Sequence, residues 1–191
     1  TTVAKDSSVQ LLDSMVHFKM KFNPDGTFLK PNAEAVRGDQ QESGTAGETY
    51  AARPRRSSFR LLVALAAARG LVLSSVDISG AFLQESLAEV VYVKFATDYG
   101  GSSEDTIVRL YRSLYGLRQA PRCFQLGLFK FLEESGYAAT VSDPCVFTKR
   151  LDDGSDQTVL AHVDDLLIMG TSAEANKTLH TTLLRKYQKV S

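Results

Sequence analysis

The chain has 191 residues, 43% of them hydrophobic, and carries 22 basic and 22 acidic side chains. That balance excludes wholesale disorder and collagen-like structure, and at roughly 100–200 residues per domain it allows one compact domain or two small lobes. Cysteine occurs only as Cys123 and Cys145, which excludes a disulfide scaffold and a four-thiolate zinc site.

Val16, Phe18, Met20 and Phe22 alternate with polar neighbours and predict a half-buried strand. Asn23-Pro24-Asp25-Gly26 predicts a turn, because Pro fixes φ and Gly accepts positive φ. Thr27–Leu29 returns as a short strand, and the polar, aperiodic residues 31–52 read as a long loop. Ser57 or Ser58 is placed to cap a helix from Phe59 to Arg69 with Gly70 as its stop. That helix is apolar on most sides, so burial is expected. Strands follow at Leu71–Asp77, Val90–Phe95 and Ile107–Ser113. Pro121 suits the first turn of a helix to Ser135, with Phe124, Leu128, Phe131 and Leu132 as its inner stripe. Cys145–Lys149 and Thr158–Val163 are strands around a turn at Asp152-Asp153-Gly154, and Leu166–Met169 is one more. Thr171-x-x-Glu174 has capping-box spacing before a helix with Leu179, Leu183 and Tyr187 every four residues. Hairpins mixed with crossovers predict an α+β fold, an antiparallel sheet with helices on one face.

Two acidic sites stand out. Asp77 ends an apolar strand, and Asp164-Asp165 sits between two apolar runs as a hairpin tip. Asp tolerates turns, so the pair could simply make one. Yet neither Gly nor Asn follows, and adjacent like charges repel until a cation neutralises them. Carboxylates with water are the ligands Mg²⁺ prefers, so Asp77, Asp164 and Asp165 together suggest two-metal phosphoryl chemistry. Asp152–Asp156 lacks the spacing of a calcium loop and reads as a turn. His17, His162 and His180 lack metal-ligand spacing, no Gly-rich phosphate loop motif is present, and no Ser or Cys has a convincing His partner.

Net charge is zero, but Arg53–Arg60 carries four Arg and no acid, and a second acid-free basic tract runs from Arg109 to Lys130. Such tracts suit a phosphate-rich partner, or simply an unevenly charged surface. No apolar run approaches ~18 residues, so no membrane partner is expected. Two lone thiols fit a reducing, intracellular compartment, with cytoplasmic particle and nucleus both open. The chain begins at Thr1 with neither an initiator Met nor a signal peptide, and is expected to be a piece of something longer.

Ser113-Leu114-Tyr115-Gly116-Leu117-Arg118-Gln119-Ala120-Pro121-Arg122 resembles the signature of copia-type LTR-retrotransposon reverse transcriptases. Phe59–Ala66, Asp77–Leu83, Asp143–Phe147 and Val163–Ile168 match further pieces of that family in order and spacing. The resemblance covers roughly residues 15 to 190.

The resemblance implies a fingers-and-palm polymerase core: an N-terminal extension over residues 1–14, a fingers-like region over 15–70, and a palm over 71–191, with 90–122 partly fingers. It implies that Asp77 and Asp164 hold two Mg²⁺ ions, Mn²⁺ being possible, with Asp165 beside them. It further implies that Phe82 is the steric gate against a ribose 2′-OH, that Gln119 touches the nucleotide near its sugar, and that the backbone of Ser79, Gly80, Ala81 and Phe82 binds the triphosphate. Arg53, Arg55, Arg56, Arg118, Arg122 and His162 become candidates for contact with template and primer. The implied partners are an RNA or DNA template with primer, deoxynucleoside triphosphates, and further polyprotein modules: thumb, RNase H and integrase.

The chain departs from the family in places. The usual fingers Lys-Ala-Arg is missing around Pro31–Ala35, leaving Lys30 and Arg37 as the nearest substitutes. His162 stands where Tyr is usual, and Gly80 replaces a larger residue. No thumb or RNase H stretch is expected within the 191 residues. Three readings follow: an RNA-directed DNA polymerase core, a degenerate or truncated remnant that keeps the fold and weak nucleic-acid binding, and an unrelated Mg²⁺-dependent nuclease. The Ser113–Arg122 signature and Phe82 count against the third.

Overall fold

The computed structural model describes residues 10–15, 17–34, 37–42, 44, 46–95 and 106–187. The expected N-terminal extension through residue 9, Val16 of the first predicted strand, and residues 188–191 lie outside the described residues. The chain forms two compact units, one from the residues up to Tyr50 with Glu85–Cys123, the other from Ala51–Gln84 with Phe124 onward. The helix of residues 56–69 therefore clusters with the Asp77 strand and not with residues 10–50.

The first unit holds two sheets. β2 (His17–Phe22) and β3 (Phe28–Glu34) form an antiparallel hairpin about the predicted turn, where Gly26 has φ +83°. β3 runs further than the sequence suggests, through Pro31, which a two-stranded hairpin accommodates on a free edge. The other sheet has the order β1-β5-β6, with β1 (Gln10–Asp13) parallel to β5 (Ser86–Phe95), and β5 antiparallel to β6 (Thr106–Arg112). β1 carries no strand signal because its four residues, with Leu11 and Leu12 adjacent between Gln10 and Asp13, are too few to show an alternation.

The second unit is built on a five-stranded, wholly antiparallel sheet in the order β4-β10-β9-β8-β7. Its strands are β4 (Val72–Asp77), β7 (Ala138–Ala139), β8 (Val146–Arg150), β9 (Asp156–His162) and β10 (Asp165–Gly170). Helices α2 (Ala120–Glu134) and α3 (Ala173–Lys186) supply Phe124, Leu128, Leu132, Leu179 and Leu183 to a core with Val76, Val159, Ala161, Leu166 and Ile168. Strand pleating sends the alternate residues to the other face. There Leu160 and Met169 meet Leu62 and Ala66 of α1 (Arg56–Arg69), and Leu167 packs alongside.

Helices thus cover both faces of this sheet, where one covered face was expected. α1 is also less buried than its composition suggests. It touches the sheet along a narrow stripe, and Phe59 and Leu61 remain 48% and 58% exposed. Two predicted caps differ as well. The N-cap of α1 is Arg55, and neither Ser57 nor Ser58 caps it from within. At α3 the cap is Ser172, whose side chain accepts from the Ala175 N–H at 3.1 Å, one residue beyond the predicted Thr171.

A buried polar chain ties α3 to the sheet. Tyr137 donates to Gln157, Gln157 donates to Asn176 Oδ1 at 3.1 Å, and Asn176 donates to the Val72 carbonyl and Ser74 Oγ. Burial pushes the Tyr137 phenol up to about 12, so it stays a donor across the working pH range.

Candidate functional site

The carboxylates singled out in the sequence meet at one end of the five-stranded sheet. Asp77 closes β4, Asp165 opens β10, and the two are direct partners across the antiparallel ladder. Asp165 is also paired with His162 at the end of β9. Directly paired residues share a face. Val76 and Ala161 point into the α2/α3 core, so Asp77, Asp165 and His162 form one cross-strand row on the α1 face.

Asp164 lies in the two-residue turn between β9 and β10. Its carbonyl accepts the Ile78 N–H at 3.0 Å, which binds the hairpin tip to the residue after Asp77. Val163 leads the turn at φ +58°, the sole positive-φ non-Gly residue among the described ones. A β-branched side chain is disfavoured there, and Gly is usual at the first position of such a turn. Local strain of about 1–3 kcal/mol is therefore stored beside the carboxylates.

Electrostatics ties these groups together. Burial pushes the Asp164 carboxyl up, and the charges of Asp165 and Asp77 push it further, while His162 opposes them. Ser79 donates from Oγ to Asp77 Oδ2 at 3.1 Å and orients that carboxylate. Among the described residues no three His, Cys, Asp or Glu converge into a ready-made cation cage. Two carboxylates in mutual repulsion still fit Mg²⁺, which takes one or two protein carboxylates with water and substrate phosphates.

After Asp77 the chain makes a turn at Gly80, φ +66°, and a short 3₁₀ segment over Ala81–Gln84. Ala81 is fully buried, while Phe82 is half-buried and sets its ring edge-on to Phe124, centroids 6.3 Å apart. On the α1 face, a cleft of about 420 Å³ is lined by Arg55, Arg56, Phe59, Leu160, His162 and Asp165, among others. Arg53, Arg55, Arg56 and His162 are all exposed.

The start of α1 is held by a residue whose role the sequence does not advertise. Asp143, 2% exposed, accepts from the Arg55 N–H at 2.8 Å and from Ser58 Oγ at 2.6 Å, while its other oxygen takes the Cys145 N–H. Burial pushes this carboxyl up, but the Ser58, Arg55 and Cys145 hydrogen bonds prevail and hold it below the usual range. It caps α1 from another segment, so no i-to-i+3 pattern reveals it.

In the first unit the remaining candidates are spread out. Lys30 lies in β3 opposite Lys21, and its side chain falls outside the described residues. Arg37 grips Asp39 through Nε at 3.2 Å and Nη2 at 2.6 Å. Arg118 donates from Nε to the Gly38 carbonyl, and its backbone N–H donates to Gln41. Arg122 forms a 3.6 Å ion pair with Glu48. Gln119 is fully buried and accepts from Gln41 Nε2 at 3.0 Å. Neither thiol is an activated nucleophile: burial, then Glu89, raises Cys123, and burial with Asp143 pushes Cys145 up to about 11.

Comparison with known proteins matches residues 17–190 to the family described as "Reverse transcriptase (RNA-dependent DNA polymerase)". The retrovirus-related Pol polyprotein from transposon TNT 1-94 of Nicotiana tabacum is 33% identical over 156 residues, 80% of this chain. Two Arabidopsis thaliana Pol polyproteins, from transposons RE2 and RE1, are each 32% identical, over 85% and 91% of this chain. The chain spans only 11–12% of the length of these relatives.

Proposed function

The chain belongs to the reverse transcriptase (RNA-dependent DNA polymerase) family, and from that premise we propose that it is the fingers-and-palm core of a copia-type retrotransposon polymerase, adding deoxynucleotides to a primer 3′-OH on an RNA or DNA template. The observation that carries the reading is the pairing of Asp77 with Asp165 beside the Asp164 turn.

In this reading Asp77 and Asp164 would hold a pair of Mg²⁺ ions, or Mn²⁺, with Asp165 adjoining. When bound there, such ions would supply a lowered pKa to an attacking hydroxyl and positive charge against a triphosphate and its leaving pyrophosphate. Ser79 keeps the Asp77 carboxylate oriented through its 3.1 Å hydrogen bond. The backbone of Ser79–Phe82 receives the triphosphate, and the Phe82 ring excludes a ribose 2′-OH. Lys30 and Arg37 stand in for the missing fingers cations, and Gln119 contacts the nucleotide near its sugar. Arg53, Arg55 and Arg56 meet the nucleic-acid backbone, as do Arg118 and Arg122, and His162 lies against the primer end. Thumb, RNase H and integrase modules would act from elsewhere in a longer polyprotein.

A second reading, a remnant that keeps the fold and weak nucleic-acid binding without synthesis, is favoured by Arg37. Its guanidinium is engaged by Asp39 and not held free for a triphosphate.

Single-nucleotide extension separates the two readings. With protein in excess over a DNA primer on an RNA template, the first reading expects Mg²⁺-dependent addition of one deoxynucleotide, at least a hundredfold slower in Asp164→Asn, a loss of roughly 2.7 kcal/mol of barrier lowering. Unimpaired addition by Asp164→Asn refutes the carboxylate assignment. No addition by the unaltered chain favours the remnant.

A further inference from the structure

We infer that Gln41 is a positioning residue for Gln119, fixing which end of the Gln119 side-chain amide a nucleotide meets. The inference rests on the reading of Gln119 as a nucleotide contact.

The orientation follows from one donor whose chemistry is unambiguous. The backbone N–H of Arg118 can only donate, and it donates to Gln41 Oε1 at 2.7 Å. The other end of the Gln41 amide is therefore Nε2, which also can only donate. It reaches the Gln119 side chain at 3.0 Å, so Gln119 must present Oε1 there. The Gln119 Nε2 is left turned away. It is buried, and it has no hydrogen-bond partner. A buried donor without an acceptor is an uncompensated cost that a ligand oxygen would relieve.

The support behind Gln41 is rigid. Gly38 lies so close to Gly116 that a Cβ on Gly38 would sit 1.8 Å from the Gly116 carbonyl oxygen. Arg118 adds hydrogen bonds from Nε to the Gly38 carbonyl at 3.1 Å and from Nη2 to the Asp39 carbonyl at 3.4 Å. Gln41 itself is 2% exposed. Residues 38–41 and 116–119 are thus locked together. An unsupported Gln could offer a ligand either its oxygen or its NH₂. Here the clamp allows only the NH₂, which suits an acceptor such as a deoxyribose hydroxyl or ring oxygen.

Gln41→Glu tests this directly. The introduced carboxylate still accepts from the Arg118 N–H but has no hydrogen to give Gln119. The Gln119 amide would then turn over and donate to that carboxylate, withdrawing its NH₂ from the ligand. The probes are thymidine triphosphate and inorganic tripolyphosphate, each with Mg²⁺, titrated into residues 1–191. Gln41→Glu is expected to weaken thymidine triphosphate roughly five- to tenfold, as for one lost hydrogen bond, and to leave tripolyphosphate unchanged. In a Gln119→Met background the same change should have no further effect.

Gln119→Met weakening thymidine triphosphate while Gln41→Glu does nothing overturns this inference alone. Gln119→Met changing neither ligand overturns the nucleotide reading of Gln119 and the inference with it. Should Gln41→Glu not fold, the side-chain amide resonances of the unaltered chain decide. The Gln119 NH₂ pair should move with thymidine triphosphate and stay still with tripolyphosphate; movement with both or neither overturns the inference.

Discussion

Asp77 and Asp165 face each other across the β4–β10 ladder, the last residue of one strand opposite the first of the other. One step further on, the Ile78 N–H closes onto the Asp164 carbonyl. The acidic end of the sheet is therefore made by ladder hydrogen bonds. A one-residue slip of β10 would send Asp165 to the opposite face, so register itself holds the carboxylates together.

That placement carries a cost at Val163, held at φ +58°. Val163→Gly should raise the melting temperature by a few degrees, since relief of about 1–3 kcal/mol of strain outweighs the roughly 0.5–1 kcal/mol entropic cost of Gly. The looser tip should also bind Mg²⁺ several-fold more weakly. Thermal melts with and without Mg²⁺ check both. A lower melting temperature with unchanged metal response would show that the Val163 turn is unstrained and plays no part in holding the site.

Asp143 makes acid stability testable. Its carboxyl is held below the usual range in the folded chain. Its stabilising contribution is therefore complete above the unfolded value of about 3.9 and is lost as pH falls through the lower folded value. Asp143→Asn should cost about 1–2 kcal/mol at neutral pH, through the weakened cap on Arg55 and Ser58, and should flatten the loss of stability below about pH 4. Parallel acid limbs in denaturation curves of the two proteins would rule this out.

The exposed arginines at the start of α1 should act through phosphate. Changing Arg55 and Arg56 to Ser should lower the slope of log affinity against log salt for primer–template by about 1–2. Arg150, paired with Asp156 at 3.0 Å on the β8–β9 hairpin, is the control and should leave the slope alone when changed to Ser. Equal slopes in all three proteins would remove the α1 terminus from the nucleic-acid interface.

Much of the fold is legible in the residues, and the exceptions have physical causes. Period-two alternation places β2 and period-four patterns place α2 and α3, while β8, β9 and β10 read as short apolar runs because the five-stranded sheet is covered on both faces. The half-burial expected of β2 fails, with Met20 66% and Phe22 57% exposed. The acidic hairpin tip is visible because two carboxylates in a turn without Gly or Asn invite explanation. β1 escapes because its four residues, Gln10–Asp13, are too few to show a period-two alternation. α1 reads as buried because apolar content does not say how wide a stripe the sheet will cover. The support residues escape for a related reason: Asp143 caps a helix 85 positions from Ser58, and Gln41 bonds Gln119 across 78 positions, separations that no window along the chain spans.

Whether Asp77 and Asp164 hold divalent cations is tested most directly by titration with Mn²⁺, read as paramagnetic broadening of backbone amide resonances. Broadening is expected to centre on Asp77–Ser79 and Val163–Asp165, to be abolished in Asp77→Asn and in Asp164→Asn, and to be reversed by excess Mg²⁺. Broadening centred instead on the Asp152–Asp156 turn, or broadening at the hairpin tip that survives both substitutions, would contradict the assignment.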